Sequence, residues 1–363
     1  MPAPRAIRCL ALAAAGVALA APQAASAAAT VHLRGTAYEF NNVKVRLGGA
    51  TIRVVEFPQL HATAAANGSY DLAVPDRSKV TPYIVAAGHH TIHLQTFTTA
   101  GEDLANVNFQ TPTTAIYQAL AGLLAVPLDA AGELRDCAIV STFSTVNVRA
   151  LGFDAFTAYG AHGVAGATAA LSPAAAAPIY FNAGVIPDRG QQRSSRDGGV
   201  IWTGVPAGVY TVRASHPTAR FASFVATCVP GRIVNANPPW GLHQLAAPSP
   251  ARFTASWRRS GAAATLRSLR VTRVPSKAVV GITCSGRRCP FTTRSIGAAG
   301  PVVDVRRILG DARSRLRAGQ TLEVRVSAPA HDTAVARWAI TAKGKPRLQR
   351  RCVPLGLTLP RAC

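Results

Sequence analysis

The stretch DGGVIWTGVPAGVYTV, residues 197–212, decides the fold class of this 363-residue chain. Its apolar runs are short, and glycine and proline separate them, as is typical of β-strands joined by turns. The step Asp197-Gly198 is a hairpin-turn signal, because glycine adopts a positive φ without strain. The whole chain contains 25 Pro and 30 Gly, which argues against a helical bundle, and its 48% apolar content argues against disorder.

An earlier segment repeats this arrangement. Residues 49–89 align by eye with residues 166–216, from a Gly-Ala-Thr start to a last strand that begins with tyrosine and leads to histidine. In the first copy, the run YIVAA at 83–87 has the two-residue period of a strand with one buried face. Asn67-Gly68 is its hairpin-turn signal. The repeat therefore predicts two similar β modules.

These motifs resemble the carboxypeptidase regulatory-like family, a prealbumin (transthyretin)-like β-sandwich. The family pattern is Gly-Ala-x-Val, then Thr-Asp-x-x-Gly-x-Phe-x-Phe, then Leu-Pro-x-Gly-x-Tyr-x-Leu. Residues 197–212 match it best, whereas the first copy departs from it at Ser78-Lys79-Val80, where Pro-x-Gly should lead into Tyr83. The resemblance covers roughly 32–112 and 162–245. It implies tandem sandwiches that serve as accessory, non-catalytic domains.

The predicted fold class is all-β, with two tandem prealbumin-like β-sandwiches followed by a third, basic β-sandwich-like domain. The predicted segments are a signal peptide (1–29), the first sandwich (30–112), a connecting segment or extension of the second module (113–161), the second sandwich (162–245), a linker (246–250) and a basic, Cys-containing C-terminal domain (251–363). Within the connecting segment, helical spacing from Ile116 to Leu124 predicts a helix that Pro127 ends. Residues 137–148 are predicted as a strand and 153–159 as a short aromatic turn or helix.

The positive charge is concentrated in the last third of the chain. Residues 250–363 carry 23 Lys and Arg against 4 Asp and Glu, whereas residues 30–249 carry 14 against 12. Leu322, Val324 and Val326 alternate with polar residues, which predicts a half-buried strand with arginine facing outward. The run CSGRRCP at 284–290 resembles a Cys-containing module found at the C-termini of exported bacterial proteins. That resemblance implies a cell-envelope module.

The N-terminus has the three parts of a secretory signal peptide. Arg5 and Arg8 form a basic start, residues 10–21 are apolar, and Ala25-Ser26-Ala27 offers a cleavage site after Ala27. The apolar run is too short to span a membrane, and no later stretch has the ~20 apolar residues that a spanning helix needs. We expect a secreted protein, extracellular or associated with the cell envelope.

Apart from Cys9 in the signal peptide, six cysteines remain, and an even number in an oxidising compartment predicts disulfides. Six cysteines allow 15 connectivities. Position in the sequence favours three pairs: Cys137–Cys228, Cys284–Cys289 and Cys352–Cys363. A bond from Cys284 or Cys289 to Cys352 is the close alternative. A zinc site is disfavoured, because Arg287 and Arg288 lie between two of the candidate ligands.

The sequence carries none of the common catalytic signatures. The zinc-protease motif H-E-x-x-H, the nucleophile elbow G-x-S-x-G, the Walker loop and the dinucleotide fingerprint are all missing. We therefore predict no catalytic residues, no cofactor and no enzyme activity.

Histidines supply weak candidates for a metal site. In a strand, His89 and His93 would share one face and His90 would point away, so that only two ligands would converge. The weak candidates are His89, His93, His162, His216 and His243. The prediction is nevertheless that no metal is bound.

Aromatic residues raise the possibility of a glycan site. The family pattern places Trp202 in a buried position, and Trp202 and Tyr210 are expected in the core. Tyr180, Phe181 and Trp240 remain as weak ligand-binding candidates. The first two begin an insertion in the second copy, where a long loop on a rigid sandwich can bind a ligand.

Three function classes compete on these grounds. The favoured hypothesis is a secreted, non-catalytic protein for cell-envelope binding, adhesion or structure, whose basic domain binds anionic envelope polymers or glycans and not nucleic acid. The first alternative is a carbohydrate-binding accessory protein. The second is a metal-dependent hydrolase, or an accessory subunit of one, with a site that is not local in sequence.

Overall fold

The computed structural model describes residues 29–363. The predicted signal peptide and its cleavage after Ala27 lie outside these residues. Strands make up 47% and helices 7% of the structure, which confirms the all-β fold class. No helix within residues 29–363 combines the length and apolar character that a membrane span needs.

The first part of the chain forms a sandwich around one apolar core. Its strands are β1 (Thr30–Glu39), β2 (Asn42–Arg46), β3 (Thr51–Val54), β4 (His61–Thr63), β5 (Ser69–Pro75), β6 (Lys79–Val80), β7 (Pro82–Val85), β8 (Ile92–His93), β9 (Phe97–Thr98) and β10 (Phe109–Thr111). Strand β5 shows why the sandwich forms: Tyr70, Leu72 and Val74 are buried and the residues between them are exposed or half-buried. These three pack with Leu33 and Ile84 in the core.

The connecting segment contains the predicted helix, α1 (Thr114–Leu123), and a shorter one, α2 (Phe153–Thr157). Thr113 begins α1, since its hydroxyl accepts a hydrogen bond from the Ile116 N–H. The strand predicted over 137–148 is wrong in length. It ends at Thr142, and a single 3-10 turn covers Val146–Val148.

The second sandwich comprises β11 to β18. They are β11 (Cys137–Thr142), β12 (Thr168–Ser172), β13 (Ile179–Phe181), β14 (Pro187–Asp188), β15 (Gly199–Val205), β16 (Gly208–Ser215), β17 (Phe224–Cys228) and β18 (Ile233–Ala236). Trp202 and Tyr210 are buried in its core with Val200, as expected from the family pattern.

A single nine-stranded sheet joins the first two sandwiches. Its strand order is β14-β13-β15-β11-β18-β8-β7-β3-β4, and the junction is the parallel pair in which Ile233 lies opposite Ile92. A second sheet closes each core: β10-β1-β2 with β5 on the first, and β12-β16-β17 on the second. The sequence did not predict this continuity, because β8 contains only two residues and its partner strand follows 141 positions later.

At the two predicted hairpin turns, glycine has the expected positive φ, but neither turn joins two strands that pair with each other. Gly68 and Gly198 adopt φ values of +77° and +81°, and a Cβ on Gly68 would lie 2.4 Å from the Ala37 carbonyl oxygen. However, Gly68 joins β4 to β5, which belong to different sheets, and Gly198 joins β14 to β15, which are not neighbours. The hairpin predictions are therefore wrong, because glycine fixes a turn without choosing the partner strand.

The third sandwich has an apolar core of its own. Its elements are β19 (Arg252–Ser260), β20 (Ala263–Thr272), β21 (Val279–Ser285), β22 (Thr293–Gly297), β23 (Val302–Asp304), α3 (Val305–Leu309), β24 (Arg315–Arg317), β25 (Thr321–Ser327), β26 (Thr333–Ile340) and β27 (Pro346–Val353). A four-stranded sheet, β19-β20-β23 with β24, packs on the five-stranded sheet β22-β21-β25-β26-β27.

Three disulfides hold the described residues together. They are Cys137–Cys228, Cys284–Cys289 and Cys352–Cys363, the pairs that the sequence favours. The first joins β11 to β17, and so ties the nine-stranded sheet to the three-stranded sheet across the second core. The last closes the C-terminal tail onto edge strand β27.

Candidate functional site

The histidines considered as metal ligands are held apart by other contacts. His89 Nε2 lies 3.6 Å from Glu39 Oε2. Three of the others bond to backbone carbonyls, with His162 Nδ1 2.8 Å from Gly160 O, His216 Nε2 3.1 Å from Ala165 O and His243 Nδ1 3.2 Å from Gly241 O. Within residues 29–363, no three His, Cys, Asp or Glu side chains are grouped so that they could hold a metal ion.

His90, rather than His89, is the buried neighbour of His93. Strand β8 begins only at Ile92, so the strand geometry expected for 89–93 is wrong, and both His90 and His93 are buried. Burial, and to a smaller extent the nearby Arg232, lowers the pKa of both rings to about 4. Both rings are thus neutral at pH 7, and the 3.3 Å contact of His90 with Glu133 is then not an ion pair.

The aromatic candidates also have structural partners. Tyr180 is 4% exposed, and its hydroxyl accepts the Ala169 N–H. Trp240 donates its Nε1–H to the Ala105 carbonyl, and the Arg149 guanidinium lies 4.2 Å above its ring. Neither ring offers a free face of the kind that stacks on sugars. Phe181 is half-buried and lines an apolar groove on the nine-stranded sheet.

The arginines of the third sandwich form the most distinctive surface. Strands β25 and β26 direct Leu322, Val324 and Trp338 into the core, so the residues that alternate with them lie on the opposite side of the sheet. We call this solvent side of the five-stranded sheet the arginine face, defined by Arg325, Arg337, Arg347 and Arg351. The register places Arg351 and Arg325 on either side of Val335, Arg347 opposite Ala339, and Arg337 between Glu323 and Gln349.

Positive charge is in clear excess on the arginine face. Arg325 forms an ion pair with Glu323 at 2.7 Å. Within residues 29–363, Arg337, Arg347 and Arg351 form no ion pair, and all three are exposed. The neighbouring residues on this face include the small residues Gly281 and Ala339, and Val335, which is buried. The guanidinium groups of Arg337, Arg347 and Arg351 are therefore accessible to a large ligand.

The opposite side of the third sandwich is also basic. Alternation in β19 and β20 exposes Arg252, Arg258 and Arg270, while Phe253 and Leu269 enter the core. Arg270 lies opposite Asp304 in β23, so this side is partly neutralised.

The arginine face is suited to binding several anionic groups at once. Neighbouring strands lie about 4.8 Å apart, so arginines two strands apart are separated by roughly 10 Å. Each planar guanidinium can donate two parallel hydrogen bonds to a phosphate or carboxylate.

Sequence alternation predicted the outward direction of Arg325 and Arg337 but missed the contribution of β27. That strand, PRLQRRCV, has no apolar alternation, because it forms the edge of the sheet and buries only Val353. The high density of arginine in residues 347–351 is the sequence feature that could have indicated a basic strand here.

Comparisons with other proteins give distant similarities only. No protein-family model matches the chain, and no curated protein matches it in sequence. Similar solved structures include a type II cohesin–X-dockerin complex from Acetivibrio cellulolyticus, with 15% identity over 23% of this chain and 58% of that chain and a TM-score of 0.19. The Bacillus anthracis TIE protein has 13% identity over 89% of this chain and 48% of that chain, with a TM-score of 0.18. A streptococcal ancillary pilin has 11% identity over 89% and 95%, with a TM-score of 0.19.

This chain spans about half the length of the first two of these chains. At such low TM-scores, the fold class rests on the strands and sheets of the chain itself.

Proposed function

We propose that this protein is an exported, non-catalytic binding protein of the cell envelope, whose third sandwich binds anionic polymers through the arginine face. The observation that carries the proposal is a set of three exposed arginines on one sheet face that have no acidic partner within residues 29–363. Three disulfides support an oxidising compartment, where nucleic acid is not the prevalent polyanion. The first two sandwiches, interpreted as carboxypeptidase regulatory-like modules, then serve as a scaffold.

A polymer suits the arginine face better than a small anion does. The exposed guanidinium groups lie on separate strands and at separate positions along one sheet face, so a single phosphate would contact only one or two of them. A chain of phosphates or carboxylates can contact all of them at once and release several counterions. Wall phosphate polymers and acidic polysaccharides have this chemistry.

The experiment compares two sets of substitutions in the whole chain. One variant replaces Arg325, Arg337, Arg347 and Arg351 with Gln. The matched control carries R77Q, R196Q, R213Q and R220Q, four exposed arginines of the first two modules. Both variants lose the same charge, so a difference between them reports position and not net charge.

Retention on isolated cell envelope, polyphosphate and polygalacturonate is then measured. We expect the arginine-face variant to lose at least tenfold in affinity for one of these polymers, and the control to lose less than twofold. Equal losses in both variants would contradict the proposal. They would assign the arginines to general solubility or to protection of the exposed edge strand β27.

A further inference from the structure

A groove of about 600 Å³ lies on the nine-stranded sheet, on the side opposite the second core. Its floor follows from strand alternation. In β15, Val200 and Trp202 enter the core, so Ile201 and Thr203 face the groove. In β11 and β18, Val140 and Asn235 lie side by side on the same floor. These central strands are apolar on both faces. The face that points away from the second core therefore also has apolar side chains that must be shielded from water.

The cover is incomplete. Helix α1 and the segment after it bury one end of the floor, where Tyr117, Leu134 and Ala138 form a small apolar cluster. Toward the other end, the groove is bounded by the β1–β2 turn, by α2 and by the β13–β14 turn. Four apolar side chains around the groove are exposed: Leu123 of α1, and Val43, Val185 and Ile186 at the other end.

Polar groups converge at the less covered end. Asn235 is 5% exposed, and its Oδ1 has no hydrogen-bond partner within the described residues. Asn237 Nδ2 is also buried and, among residues 29–363, unpartnered. His162 and Asp197 line the same groove. A buried acceptor and donor without partners are costly, and a ligand that hydrogen-bonds to them would remove that cost.

From this geometry we propose that the groove binds a single alkyl chain that carries an uncharged, hydrogen-bonding head group. The chain would lie on the floor of Ile201, Val140 and Ile233, and the head group would contact Asn235 and Asn237. The volume is in the range of pockets that enclose a small ligand, and such pockets combine an apolar lining with a few placed polar groups. The inference is independent of the polymer-binding proposal.

An extended peptide fits this groove less well. The floor strand β11 is hydrogen-bonded to β15 on one side and to β18 on the other, so its backbone has no free groups for a further strand. A peptide on the sheet face would bury N–H and C=O groups without partners, at a cost that an alkyl chain does not incur. A carboxylate head group is disfavoured, because Asp197 lines the groove.

The test uses the purified whole chain and n-hexyl, n-octyl and n-decyl glucoside, each titrated calorimetrically below its micelle concentration at pH 8. We expect saturable binding of one molecule, with affinity rising about fourfold for each added methylene, the change that corresponds to about 0.8 kcal/mol. Decanoate, with a charged head, should bind at least tenfold more weakly than decyl glucoside. Equal binding of the two would overturn the assignment of the head group.

Variants locate the site. Changing two exposed rim residues, as L123D with I186D, should weaken decyl glucoside binding at least tenfold, and Asn237→Ala about fivefold. V209D is the matched control, because Val209 is 60% exposed, as Leu123 is 59% exposed, and lies on the separate three-stranded sheet. It should leave binding unchanged.

Methyl NMR spectra of the unaltered protein locate the site without relying on variants that could fail to fold. Decyl glucoside should shift the Ile201 and Ile233 methyl signals of the unaltered protein and leave Ile282, in the third core, unshifted. Absence of saturable binding, or shifts confined to other methyl groups, would overturn the proposal.

Discussion

Glu102 of the first sandwich and Arg361 of the C-terminal tail form an ion pair across 259 positions of sequence. The Glu102 side chain is only 2% exposed and also accepts the backbone N–H groups of Thr358 and Leu359, at 3.0 and 3.2 Å. The disulfide Cys352–Cys363 closes the tail that carries these donors. The end of the third sandwich is thereby attached to the first.

Replacing Glu102 with Gln should lower the free energy of unfolding by about 2 kcal/mol, because a charged acceptor of several hydrogen bonds is lost from a buried position. Urea unfolding of the whole chain measures the change. D154N is the control, since the Asp154 side chain is 98% exposed, and it should have little effect.

The same contact predicts a dependence on acid. Burial alone would raise the pKa of Glu102, but the two N–H donors and Arg361 outweigh it and hold the pKa below its ordinary value. The stabilisation is therefore present above the ordinary pKa and is lost as pH falls through the folded-state value. The Glu102→Gln variant should lack this part of the acid dependence; an unchanged profile would show that the contact contributes nothing.

His93 should destabilise the fold in mild acid. Its pKa is lowered to about 4, mainly by burial, so the unfolded chain takes up a proton between about pH 6.5 and 4 that the folded chain excludes. Stability is full above that window and falls within it. H93F should remove this loss, and it also removes a buried ring nitrogen that has no partner within residues 29–363. H61F, which makes the same replacement at an exposed position, is the matched control.

The Cys137–Cys228 bond closes a separation of 91 residues. Replacing both cysteines with Ser should reduce the stability of the first two sandwiches by about 4–5 kcal/mol in the chain-entropy model. Denaturant unfolding of the unaltered protein and of the variant, both under non-reducing conditions, measures the loss of stability. The third sandwich has its own core and its own two disulfides, so its transition should move much less; a common shift would mean that all three cores unfold together.

Local patterns in the sequence were sufficient for the fold class. Alternation at Leu322, Val324 and Val326 gave the direction of β25, and the motif around Trp202 gave the buried face of β15. The shared sheet was not predictable, because Ile92 and Ile233 lie in strands of two and four residues whose pairing depends on tertiary contacts. The groove was missed for a related reason: in a strand apolar on both faces, the sequence does not distinguish a covered face from an open one.

The salt dependence of binding reports how many anionic groups the arginine face contacts. Binding of the whole chain to polyphosphate is measured from about 50 to about 200 mM salt, for the unaltered protein and for the variant with Gln at 325, 337, 347 and 351. Polymer binding through the arginine face predicts that the logarithm of affinity falls linearly with the logarithm of salt concentration. It also predicts that the variant's slope is shallower by up to about 3, since each lost phosphate contact removes about 0.7–0.9. Identical slopes for the two proteins would contradict the assignment of polymer binding to the arginine face.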